Sequence, residues 1–77
     1  MNFEDWQVGD IIEKIKESCL NSLGYQATIT EVKIVDGIRR VYSTDEQGGA
    51  SWMGEGYATS YYKWVRRPES ENEWVSA

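Results

Sequence analysis

The chain has 77 residues, one cysteine, no histidine and a formal net charge of −5, with a pI of about 4.6. A chain of this length makes one domain and buries only roughly 60% of the surface its unfolded form exposes, which leaves no room for a deep cleft beside its own core. Apolar residues at 40%, with four Trp and five Tyr, exclude wholesale disorder, and the missing histidine removes both the commonest general base and the commonest metal ligand.

The chain begins Met1-Asn2-Phe3-Glu4-Asp5, an acidic start unlike the basic one of a signal peptide, and no apolar run approaches the roughly 18 residues of a membrane span. Cys19 has no second cysteine to pair with, and an unstapled domain this small fits a reducing compartment. The expectation is a cytoplasmic protein with no membrane association. Phe3, Trp6 and Val8 then lead into Gly9-Asp10.

Two readings compete for the next stretch. In one, Asp10 caps a helix over about residues 11–23, with Glu13 completing a capping box, Ile11, Ile12, Ile15, Cys19, Leu20 and Leu23 on one stripe and Gly24 just past its end. In the other, Val8 to Ile15 is a first strand, and Lys16 to Gly24 is a long loop.

Tyr25 to Thr44 is a β-hairpin. Two runs rich in Val, Ile, Thr and Tyr flank Asp36-Gly37, the dipeptide that tolerates the two positive φ angles of a type I′ turn. That turn sets Val35 opposite Ile38, Ile34 opposite Arg39, Lys33 opposite Arg40, Val32 opposite Val41 and Glu31 opposite Tyr42. One face then carries Val32, Ile34 and Val41 as residues to be buried. Ala27 and Ile29 have the opposite parity to Val32 and Ile34, so the first strand is expected to bulge or bend near Thr30-Glu31, the device by which one strand serves two sheets.

After a polar turn at residues 45–49, Ala50 to Glu55 reads as a short strand around Trp52, Gly56 to Ser60 as a turn, and Tyr61 to Arg66 as a last strand that Pro68 stops. Residues 1–67 therefore form the domain, and residues 68–77 are expected to be an acidic, flexible C-terminal tail in which Trp74 follows Glu69, Glu71 and Glu73. Trp52 and Trp64 are expected in the interior.

The succession of Val8-Gly9-Asp10, a variable loop, Gly24, the run Ala27 to Val32, a hairpin, a Gly-rich turn, a tryptophan strand and an aromatic last strand resembles the small SH3-like barrels of many short phage and prophage proteins, and more distantly KOW-type barrels. The resemblance covers Trp6 to Arg67. It implies an all-β, SH3-like barrel of about five short antiparallel strands and a non-enzymatic binding module. The helical reading of residues 11–23 gives instead an α+β fold, with that helix on a three- to four-stranded antiparallel meander. The aromatic and acidic pattern of signalling SH3 domains is not recognisable, so proline-rich ligands are not implied.

The remaining chemistry is sparse. One cysteine and no histidine make no zinc site and no Cys-His pair, the glycine clusters lack the Gly-Lys-Ser/Thr of a phosphate loop, and Asp45-Glu46 reads as a solvated turn, so neither a cofactor nor catalysis is expected. Residues 31–67 are locally basic, with six Lys and Arg against five acids. Lys33, Arg39, Arg40, Lys63, Arg66 and Arg67 interleave there with Tyr42, Tyr61, Tyr62 and Trp64. Such a strip serves either as a solvated sheet face or as an interface, and Arg39, Arg40, Tyr61, Tyr62, Lys63 and Arg66 are the candidate contact residues.

The expected partner is a protein, reached by stoichiometric contact and plausible as a host protein of a phage or prophage. A nucleic acid bound by the same strip is the alternative, although the acidic whole works against phosphate affinity. An open strand edge would also support a homodimer.

Overall fold

A computed structural model describes residues 1–18 and 20–68. Cys19 and the acidic segment with Trp74 lie outside the described residues. Five strands, β1 (Ile11–Lys14), β2 (Gln26–Val35), β3 (Ile38–Thr44), β4 (Ala50–Met53) and β5 (Tyr62–Arg66), pair antiparallel in the order β4-β3-β2-β1-β5. A short 3-10 turn spans Phe3–Asp5, and a helix, α1, spans Glu55–Tyr61. This is the arrangement of five short antiparallel strands expected of the chain, with one short helix added. No helix of the described residues is long and apolar enough to cross a membrane.

The hairpin forms in the register its turn dictates, from Val35 opposite Ile38 back to Glu31 opposite Tyr42. Asp36 and Gly37 both have positive φ, 52° and 78°. Because this hand of turn matches the right-handed twist of the strands, the ribbon closes without splaying. Beyond it the register shifts between Ile29 and Glu31, so that Thr30 is the extra residue. The bulge turns β2 from one ladder to another: residues 26–28 pair with β1 and residues 29–35 with β3.

The helical reading of residues 11–23 is corrected. Ile12 and Lys14 are both buried, while Ile11 and Glu13 are half-buried, a period of two that belongs to a strand paired on both sides. Asp10, cast as that helix's cap, is instead fully buried. The turn expected at Gly56 to Ser60 is also corrected, since those residues lie within α1. Gly, Ser, Thr and Tyr are weak helix formers, and the helix stands because Ala58, fully buried, seats it on the core.

The core comprises Phe3, Trp6, Ile12, Ala27, Ile29, Val41, Met53, Ala58 and Tyr62, with Phe3 and Trp6 rings 5.2 Å apart. Among the described residues, Trp6 is thus the interior tryptophan. Trp64 is half-buried and Trp52 is 52% exposed, contrary to their expected places. The parity of β4 explains Trp52: it pairs with Tyr42 on the outer face, while Met53, opposite Val41, points inward. Ile34 is likewise exposed, although its face is the inner one. The hairpin tip runs past the residues that cover that face, and Arg39 closes the end by donating to the Trp6 carbonyl.

Candidate functional site

The surface is built around a buried cation. Lys14 takes an inward position on β1 and is almost wholly buried. Its Nζ donates to Ser18 Oγ at 2.6 Å, to the Asn21 carbonyl at 3.2 Å and to the Leu20 carbonyl. It also lies 5.9 and 5.7 Å from the ring centroids of Tyr61 and Tyr62. An ammonium has three donors and must satisfy them when buried. Here the loop 15–25 wraps around it to supply the acceptors, which gives that irregular segment a defined shape.

Further bonds tie the loop to its neighbours. Ser18 Oγ and Tyr57 OH are 2.8 Å apart, Asn21 Nδ2 donates to Tyr62 OH at 2.7 Å, and the Glu46 amide donates to Asn21 Oδ1 at 3.1 Å. Asn21 adopts a φ of 61°, a left-handed conformation that asparagine accepts more readily than most residues. Tyr62 is buried and its phenol pKa is raised. Burial raises it most, the Asn21 hydrogen bond works against this, and the nearby Tyr57, Tyr25 and Glu46 add to the rise.

Against this loop lies a groove of about 250 Å³ lined by Leu20, Trp52, Met53, Gly54 and Tyr57. Of its lining, Leu20 and Trp52 are large apolar side chains left exposed. A second depression of about 290 Å³ is more polar, lined by Phe3, Glu4, Gly37, Ile38, Arg39 and Glu55.

The candidate contact residues fall into separate places. Arg39 and Arg40 lie on β3, whereas Tyr62, Lys63 and Arg66 lie on β5, with two strands between them in the sheet order. Arg39 faces inward and Arg40 outward, where its guanidinium stacks 4.4 Å from the Trp52 ring. Beside it, Lys33 lies 5.4 Å from the Tyr42 ring and 3.4 Å from Glu31. Tyr61 stacks on Tyr57 at 4.4 Å, with Lys16 Nζ 5.5 Å from the Tyr61 ring. Lys63 and Arg66 are exposed along β5. Of the six candidates, then, Arg40 adjoins the groove through Trp52, and Tyr61 and the buried Tyr62 adjoin it through Tyr57.

Leu20 escaped the sequence reading as a surface residue, and Met53, a core residue, as part of the groove's lining. Leu20 had a faint signal, an apolar residue in a polar loop, but its place depends on Lys14. At the opposite end of the barrel, Asp10 accepts from the Gln7 amide at 2.9 Å, Trp64 Nε1 at 2.9 Å and Arg67 Nε at 2.8 Å. This cluster is structural, since it fastens the end of β5 to the start of β1.

The described residues hold no group of three or more His, Cys, Asp or Glu placed for a metal ion. Asp45 Oδ1 accepts from the amides of Gln47 and Gly49 and so serves its own turn, whereas Glu46 accepts from Ser22 Oγ and ties that turn to the loop before β2. Compared with protein-family models, curated proteins and solved structures, the chain matches none.

Proposed function

We propose that the protein is a non-enzymatic binding module that acts by stoichiometric contact with a protein partner. The observation that carries this reading is the apolar groove, in which Leu20, Trp52 and Tyr57 present large side chains around Met53. Aromatic residues, methionine and arginine are the types enriched where proteins meet, and Trp, Tyr and Arg are the types that carry most of the binding energy there. The likeness of the chain's pattern to small phage and prophage barrels extends the proposal to a host protein as that partner.

Two features weigh against the other readings. Ser18 beside Lys14 is the pairing nearest to a nucleophile and base, but Lys14 Nζ donates to Ser18 and to two carbonyls, and so turns no lone pair toward the hydroxyl. For a nucleic acid, the bases would need bare ring faces. Arg40 already covers a face of Trp52, Lys33 lies over Tyr42, Tyr57 stacks on Tyr61, and Tyr62 is buried.

Affinity capture of the tagged protein from bacterial lysate, with and without nuclease, tests the proposal. A protein retained in stoichiometric amount after nuclease treatment is the expected result. Recovery of nucleic acid, or of proteins that disappear with nuclease, would replace this reading with the nucleic-acid one.

A further inference from the structure

The groove is apolar in its lining and positive at its edges. Trp52 forms one wall, and Arg40 stacks on it from the outer sheet face, while Lys33, next to Arg40 in the cross-strand register, is paired with Glu31. Tyr57 forms the other wall, backed by the Tyr61 ring, and Lys16 stands over Tyr61. Cations thus stand behind both aromatic walls in a protein whose formal charge is −5. The acids that line a concavity elsewhere, Glu4 and Glu55, belong to the other depression. Met53 adds an adaptable floor. β4, which supplies Trp52 and Met53, ends the sheet order, so an extended chain has a strand edge to lie against.

We infer that the groove takes an extended acidic segment of the partner, with a large apolar side chain seated between Trp52 and Tyr57 and flanking carboxylates directed toward Arg40 and Lys16. This rests on the protein-binding reading above and specifies its ligand. The apolar side chain supplies the affinity through burial, and the charges select the segment and orient it.

A random-peptide library displayed on phage, selected against the full chain, tests the inference. The expected consensus is one large apolar residue with Asp or Glu close on both sides. A synthetic peptide of that consensus, followed by fluorescence polarisation, should bind roughly tenfold more weakly to Leu20→Glu and to Arg40→Glu. A peptide with Lys in place of its acids should recover affinity for Arg40→Glu. Both substitutions lie on the surface, and unchanged thermal melting confirms that each variant is folded. A basic, proline-rich or uncharged consensus, no enrichment, or equal binding to all three proteins would overturn the inference. The broader reading is judged separately, because a folded protein captured after nuclease treatment would sustain it even if no peptide were selected.

Discussion

Arg67 Nε donates to Asp10 Oδ1 at 2.8 Å across 57 positions of sequence, and this pair joins the last residues of the barrel to the approach of its first strand. The Asp10 carboxylate is fully buried, and Trp64 Nε1 and the Gln7 amide complete its hydrogen bonds. Arg67 also donates to the Asp5 carbonyl. A buried carboxylate deprived of its cation is strongly destabilising. Arg67→Ala should therefore lower unfolding stability by about 2–3 kcal/mol, as read from urea denaturation.

The same pair sets an acid limit. Burial alone pushes the Asp10 carboxyl up, but hydrogen bonds from Arg67, Gln7 and Trp64, with the charge of Arg67, outweigh it and hold the pKa below its ordinary 3.8. Since the folded value is the lower one, the contribution is present above pH 3.8 and is lost as pH falls through the folded pKa. Acid titration of stability should show this loss in the native protein, and Asp10→Asn should flatten it at the expense of stability at neutral pH.

Tyr62 gives the opposite limb. Its raised pKa means that the fold favours the neutral phenol, so its contribution is present below the ordinary value of 10.0 and is lost as pH rises through the folded value. Tyrosinate absorbance should show one tyrosine titrating late, and Tyr62→Phe should abolish that phase.

Lys14→Met tests the organisation of the groove. The substitution keeps the apolar stem but removes the Lys14 hydrogen bonds to Ser18 Oγ and to the Leu20 and Asn21 carbonyls, leaving Ser18 and Leu20 only their longer bonds to each other and that of Ser18 to Tyr57. A loss of about 2 kcal/mol is expected, and hydrogen exchange should accelerate over residues 15–25 before it does in the hairpin.

At the hairpin tip, Gly37→Ala meets no atom within 4 Å, so any effect is backbone strain at a φ of 78°. The expected loss is about 1–2 kcal/mol by denaturation. Ile34→Thr, at an exposed position, should stay within about 0.5 kcal/mol.

These contrasts show what kind of information the sequence carried. The hairpin and the β2 bulge were legible because Asp36-Gly37 and the parity change at Thr30 act over a few residues. Residues 11–23 were ambiguous because Ile11, Ile12 and Ile15 satisfy both periods, and pairing of β1 with β2 and β5 decides between them. Helix α1 was missed because its propensity is poor and its stability comes from Ala58 against the core. The groove was only half legible: Tyr57 and Trp52 stood out as aromatics, but Trp52 was assigned inward. Nothing local announces that Lys14, a charged residue, holds Leu20 in place.

The most direct test of the account is amide chemical-shift mapping of the labelled protein as the captured partner is added. The account predicts that the early shifts cluster at Leu20, Trp52, Met53, Gly54 and Tyr57, with Arg40 and Lys16 at their margin. Shifts centred instead on Lys63 and Arg66 of β5, with the groove unmoved, would contradict it.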